Sequence, residues 1–214
     1  MKIAPSILAC DLANLEIETK SVNKADFLHI DVMDGVFVPN ISFGLPVIAS
    51  LRKKSSMIFD VHLMISSPER YLKEFAAAGA DYITIHYEST VDVEGCLKQI
   101  KSLGKKSGLS VKPDTPVESI LGFLPFVDMI LIMTVEPGFG GQKLIDDCLL
   151  KVENIRRYRE STVYKFLIEA DGGIDESNIE YVRKKGVDVA VMGSSIFRLS
   201  ASLRNPKIEK YQKL

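Results

Sequence analysis

In its 214 residues the chain holds only three histidines and three cysteines. Cys10, Cys96 and Cys148 are odd in number, widely spaced and without any CxxC pairing, which argues against a disulfide framework and for reduced thiols in a cytoplasmic protein. An excess of charge of one sign is missing too. A formal net charge of −1 gives no electrostatic case for nucleic acid or an anionic membrane as a partner. No apolar run approaches the roughly 18–20 residues needed to span a bilayer. The apolar part of MKIAPSILACD is too short for a secretory signal peptide. No linker, low-complexity segment or charge block divides the sequence. What remains is 46% hydrophobic and 26% charged, enough for a substantial core, and residues 1–214 are expected to form one domain.

Apolar runs alternate with helical patterns along the length. The strand-like runs are Ile3–Leu8, Phe27–Val32, Ile58–Leu63, Tyr82–His86, Gly108–Lys112, Val127–Met133, Phe166–Asp171 and Val187–Met192. Helix-like stretches fall between them at Leu12–Val22, Leu45–Lys53, Pro68–Ala78, Val93–Leu103, Val117–Phe123, Ile145–Arg159 and Glu176–Lys185. Continuously apolar runs such as VDMILIM suit strands covered on both faces in a parallel sheet. Eight βα repeats in this length predict an α/β fold, a (β/α)8 TIM barrel, with an open doubly wound sheet as the alternative. GSSIF starts a short helix after Met192, but Asn205-Pro206 predicts a final helix that is short or displaced.

All three histidines fall at the C-terminal ends of predicted strands, where barrels carry their active sites. HIDVMD holds His29 and Asp31, DVHLM holds His62, IHYE holds His86 and Glu88, and EADGG holds Asp171. Strand residues two apart share a face, so His29 and Asp31 stand side by side among apolar neighbours. That arrangement costs free energy unless something binds between them. His29, Asp31, His62 and Asp171 together offer nitrogen and oxygen donors to one divalent ion, Zn²⁺, Fe²⁺, Mn²⁺ or Co²⁺. His86 reads as structural or as support behind a ligand. Asp60 and Glu169, two residues before His62 and Asp171, are placed to orient those two ligands, or are plain buried partners of a basic side chain.

Two aspartates beside one metal suggest more than coordination. One carboxylate can take a proton from the carbon next to a polarised carbonyl, and the other can return it to the opposite face, which is epimerisation through an enediolate. Met33, Met64 and Met133 end strands two, three and six on the same faces, either as core filling or as a soft, dry cavity lining. Three glycine-rich turns follow the late strands: PGFGG (Pro137–Gly141), DGG (Asp171–Gly173) and GSS (Gly193–Ser195). Gly173, Gly193 and Ser194 fit the phosphate site that barrels build after strands seven and eight. PGFGG reads as a mobile flap closing on the ligand.

The combination APSILACD, HIDVMDGVFVPN, DVHLM, GADYITIHYE, MTVEPGFGGQ, EADGGI and VMGSSIF, in order from Ile3 to Phe197, resembles the ribulose-phosphate 3-epimerase family. The resemblance implies a phosphate-binding barrel interconverting D-ribulose 5-phosphate and D-xylulose 5-phosphate in the pentose phosphate pathway. It implies His29, Asp31, His62 and Asp171 as ligands of one divalent metal ion, commonly zinc, iron or manganese, with Asp31 and Asp171 as the acid/base pair. By the same likeness Ser6 and His62 contact substrate, Gly138, Phe139, Gly140 and Gly141 form the flap, and Gly172, Gly173, Gly193 and Ser194 surround the phosphate. Lys112 where the family usually has Asn, Leu144 for Phe and Ala170 for Val are departures, and the chain from Ser200 does not follow the family closely.

The expected partner is a small sugar phosphate, with no nucleic acid or membrane, in a cytoplasmic homo-oligomer. An epimerase of another ketose phosphate, such as D-allulose 6-phosphate, is the nearest alternative. A decarboxylase-like barrel is disfavoured because the lysine of its Asp-x-Lys-x-x-Asp motif is here His62, two residues after Asp60. A non-catalytic sugar-phosphate module would not need two carboxylates on one metal.

Overall fold

The computed structural model describes every residue from Met1 to Leu214. Eight strands form: β1 (Lys2–Pro5), β2 (Phe27–Met33), β3 (Ile58–Met64), β4 (Tyr82–His86), β5 (Lys106–Val111), β6 (Met129–Met133), β7 (Leu167–Asp171) and β8 (Val189–Met192). All pair in parallel in the order β1-β8-β7-β6-β5-β4-β3-β2. The two ends of that order meet. Ser6 bridges to His29, the Asp26 N–H donates to the Ile3 carbonyl, and the Ile3 N–H donates to the Asp26 carboxylate. A doubly wound sheet would hold β1 in its interior, so the seam at β1 identifies a nearly closed (β/α)8 barrel.

Around it lie α1 (Leu15–Lys20), α2 (Leu45–Arg52), α3 (Leu72–Ala78), α4 (Val93–Ser102), α5 (Cys148–Ser161), α6 (Ile179–Lys185), α7 (Ser194–Phe197) and α8 (Ala201–Gln212). Strand alternation divides the apolar residues into two populations. Outward residues such as Leu28, Ile30, Val61, Ile83 and Ile130 merge with Leu72, Phe75, Leu97, Val152 and Val182 of the helices into one large core. Inward residues Phe27, Met129 and Val189 close the barrel floor, with Ala4 and Val191 packed on them from the strand ends nearer the cavity. The polar inward groups are stacked above that floor, toward the strand C-termini.

Several elements differ from expectation for local reasons. β1 stops at Pro5 because the Ser6 hydroxyl accepts from the Leu8 N–H and starts a 3-10 turn at Ile7–Ala9. The Val117–Phe123 helix is instead a 3-10 stretch over Val117–Phe126 that contains Pro125. A proline there has no N–H and crowds the preceding turn, which opposes a regular α-helix. The final helix is neither short nor broken: α8 runs through Pro206. The buried Arg204 guanidinium donates to the carbonyls of Leu199 and Phe197, to Glu18 and to Ser21. With Ile208 and Tyr211 also buried, this anchoring outweighs the one backbone bond that a mid-helix proline removes. No helix is long and apolar enough to cross a membrane.

Candidate active site

Parallel register sets the site. β2 and β3 align so that Asp31 neighbours His62 and His29 neighbours Asp60, while β6 and β7 align Met133 with Asp171. His29 Nε2 lies 3.2 Å from Asp31 Oδ1 and 3.9 Å from Asp171 Oδ2. His62 Nδ1 lies 3.1 Å from the same Asp31 oxygen and 3.9 Å from the same Asp171 oxygen. One donor atom from each of the four residues falls within 4.8 Å of all the others. The second Asp31 oxygen accepts a 2.5 Å hydrogen bond from the Ser6 hydroxyl.

These residues fit a divalent ion. Ligands held at about 2.0–2.2 Å around a tetrahedral centre stand roughly 3.3–3.6 Å apart, within the spread of the spacings above. His29 Nε2 is fully buried and has no hydrogen-bond partner, an orphan that a bound cation would satisfy. His29 is held by its other nitrogen: Nδ1 sits 2.6 Å from Asp60 Oδ2.

Electrostatics separate the two aspartates. Burial opposes charge on Asp31, but His29 and His62 outweigh it and hold its carboxyl far below the ordinary range. Asp171 is pushed up to about 6, first by burial and then by the negative charge of Asp31. Burial also opposes a charged His29, yet Asp31 and Asp60 raise its pKa well above the usual value. Glu169 is raised by burial and by Asp60. The cluster is thus short of positive charge, which a cation would provide.

The supporting carboxylates sit differently from expectation. Asp60 orients His29 rather than His62, and Glu169 Oε1 lies 3.9 Å from His29 Nδ1. A residue two back on the same strand is about 6.6 Å deeper in the barrel, so its neighbour is the level-matched residue of another strand, not the ligand above it. His62 is supported instead by His86: their Nε2 atoms are 2.8 Å apart and their rings stack at 4.9 Å. Burial lowers the His86 pKa to about 4 and keeps the ring neutral. Behind it Glu88 is brought down to about 2, because bonds from His86, Thr115 and the Lys112 N–H outweigh its burial.

A cavity of about 340 Å³ opens above this cluster. Asp31 and Asp171 face it with Ser6, Met33, Met64 and Met133, and the far end is walled by Gly138, Phe139, Gly140, Gly141, Gly172, Gly173, Gly193 and Ser194. His29 and His62 do not line it; both are fully buried beneath. The PGFGG turn is stitched down on one side, where the Asn40 amide donates to the Gly138 carbonyl at 2.7 Å. Phe139 stays 56% exposed at its tip. Arg198 is the one cationic residue on the lining, and its Nη2 lies 3.9 Å from where a Cβ on Gly141 would be. Sequence reasoning passed over it. Its signal was a cation four residues after Ser194, one helical turn along from the glycine-serine pair.

Residues 2–197 match the model of the ribulose-phosphate 3 epimerase family. Proteins named ribulose-phosphate 3-epimerase from Mycobacterium tuberculosis (strain ATCC 25618 / H37Rv) and Treponema pallidum are 47% and 42% identical, over 91% and 95% of this chain and 85% and 93% of theirs. The one from Bacillus subtilis is 42% identical over 92% of each chain. Among solved structures, 3-hexulose-6-phosphate synthase from Salmonella typhimurium superposes with a TM-score of 0.75 at 20% identity, covering 99% of this chain and 98% of that one. KGPDC from Streptococcus mutans in complex with D-R5P gives 0.78 at 14% identity over 99% and 97%, a likeness of fold alone. With the family model spanning the whole barrel and relatives this similar over nearly the full length, the chain belongs to the ribulose-phosphate 3-epimerase family, isomerases that act on carbohydrates.

Proposed function

We propose that Asp31 and Asp171 are the two acid/base groups of ribulose-phosphate 3-epimerisation in this enzyme, and that His29, Asp31, His62 and Asp171 hold one divalent ion. The single observation carrying this reading is the convergence of those four donor atoms within 4.8 Å at the base of the cavity. The donor set suits Zn²⁺, Fe²⁺, Mn²⁺ or Co²⁺. When bound, such an ion supplies Lewis-acid polarisation of a ketose oxygen and neutralises developing negative charge.

The chain's own residues account for the proton traffic. Asp31, fixed by Ser6 and kept ionised by its histidine neighbours, is ready to accept the proton on C3. Asp171, on a strand reached from the other side of the β1 seam and with a raised pKa, is ready to give one to the opposite face. In the reverse direction the roles exchange. Groups whose environments push their pKa values apart divide the acid and base work. Met33, Met64 and Met133 exclude water from the enediolate without offering it a competing proton donor.

The phosphate of the substrate fits the far end. The N–H groups of Gly172, Gly173 and Ser194 have no acceptor within the protein, and Arg198 adds the cation. Asp175 is also there, but Oδ1 is occupied by the Ser177 N–H and hydroxyl.

Epimerisation of D-ribulose 5-phosphate in D₂O, followed by NMR, tests the scheme. D-xylulose 5-phosphate carrying solvent deuterium at C3, with none of the original hydrogen, is the expected product. Return of the substrate's own hydrogen to the inverted centre would mean that a single group carries the proton across, and the two-base assignment would be lost.

A further inference from the structure

Two identical ring nitrogens face each other beneath the cavity, and only one can carry the hydrogen between them. His62 Nε2 and His86 Nε2 are 2.8 Å apart, both rings fully buried. The direction of that bond decides whether His62 offers a lone pair or an N–H to the cluster of Asp31 and Asp171, because a neutral imidazole has one of each.

Glu88 lies on the far side of His86. Its Oε1 accepts from the Lys112 N–H at 2.9 Å and from the Thr115 hydroxyl, and its Oε2 lies 3.3 Å from His86 Nδ1. A carboxylate can only accept, so the hydrogen of His86 belongs on Nδ1. His86 Nε2 is then bare and accepts from His62 Nε2–H. With a cation held between Asp31 and His62, the His62 lone pair is on Nδ1, the atom 3.1 Å from Asp31 and 3.9 Å from Asp171; without one, the Asp31 carboxylate competes for the His62 hydrogen. The opposite direction would set a lone pair of His86 against the Glu88 carboxylate and an N–H where the metal belongs.

We propose that Glu88 and His86 are positioning residues that fix the tautomer of His62 through a one-way hydrogen-bond chain running from the β5 loop to the metal site. The proposal rests on the metal reading above. It also explains an asymmetry, since His29 receives the same service directly from Asp60. Anchoring Glu88 through Lys112 and Thr115 makes the loop after β5 part of the site although none of it lines the cavity.

The discriminating variant is Glu88→Gln, nearly isosteric but with one acceptor and one donor. Its oxygen is needed by the Lys112 N–H and Thr115, so its NH₂ turns to His86 Nδ1 and reverses the chain. Ring-nitrogen NMR on ¹⁵N-histidine-labelled protein reads the tautomers directly. In zinc-loaded wild type, His86 is expected to be protonated on Nδ1 and His62 on Nε2; in Glu88→Gln, His86 is bare at Nδ1. Zinc affinity, measured by chelator competition, is expected to fall about 10–100-fold in Glu88→Gln. His86→Gln, whose side-chain oxygen still accepts from His62 Nε2–H, should keep more affinity than His86→Leu, and provides a second route should Glu88→Gln not fold. Protonation of wild-type His86 on Nε2, or wild-type zinc affinity in both Glu88→Gln and His86→Leu, would overturn the proposal. Wild type that binds none of Zn²⁺, Fe²⁺, Mn²⁺ and Co²⁺ would end the metal reading, and the wild-type tautomers alone would then decide the chain: Nδ1–H on His86 sustains it and Nε2–H refutes it.

Discussion

The two sides of the barrel mouth hold a ligand by different means. Strands β2, β3 and β4 present titratable side chains, each fixed by another buried polar group: His29 by Asp60, Asp31 by Ser6, His62 by His86. The loops after β6, β7 and β8 present backbone, opened by glycines and accompanied by one guanidinium. Chemistry on the first side depends on functional groups, so an isosteric exchange that alters one proton is enough to lose it. Binding on the second side depends on the chain's path, so many side chains would serve provided that no Cβ intrudes. Gly173 shows the point: φ is +67°, and a Cβ there would lie 2.2 Å from the Leu144 nitrogen. Backbone cannot give way as a side chain tip can.

That contrast predicts a hierarchy. The largest losses belong to the titratable side chains, Asp31 of β2 and Asp171, which joins the same cluster from the end of β7: Asp31→Asn and Asp171→Asn should each lower kcat by about 10³-fold or more. Steady-state rates with metal content measured in parallel check this, and activity near wild type in either variant would sink the assignment. On the backbone half, Gly173→Ala should act on binding. The turn must move off Leu144, two amide donors to the phosphate are misplaced, and KM for D-ribulose 5-phosphate should rise by about 10–100-fold, as loss of bonds to a charged group implies. A drop in kcat as deep as that of the aspartate variants, with KM unchanged, would erase the distinction between the two halves.

The same division governs what could be read without the structure. Side-chain chemistry is written in residue types, so His29, Asp31, His62 and Asp171 stood out as strand-end polar residues in apolar runs, and parallel pairing brings them to one point. What strand spacing did not reveal was the lateral partner. Register, not separation along the chain, put Asp60 beside His29 and left Glu88 to act on His62 through His86. Backbone features were legible only as glycine turns, with no indication of which N–H groups lack acceptors. Pro206 misled in the other direction. A helix breaker in sequence is tolerated in α8 because a buried arginine four bonds deep in tertiary structure holds that turn in place.

Arg198 gives the smallest effect and the finest test, because it is a side chain working on the backbone side. It is exposed at the cavity rim, so water and salt screen its attraction for a phosphate dianion. Arg198→Gln should therefore raise KM by only about 5–10-fold at low salt, less than displacement of the amides, with a smaller change in kcat. Added salt should shrink the difference between variant and wild type, since a screened charge has less to lose. Arg198→Lys should recover part of the loss by restoring charge without the planar fork. Kinetic runs at two ionic strengths decide the matter. A KM that is unchanged at low salt would leave the phosphate to the glycine amides alone and make the late-strand half of the mouth a purely backbone device. A loss that persists undiminished at high salt would instead place the guanidinium in direct, desolvated contact with the phosphate, and would move Arg198 to the side of the comparison where functional groups decide.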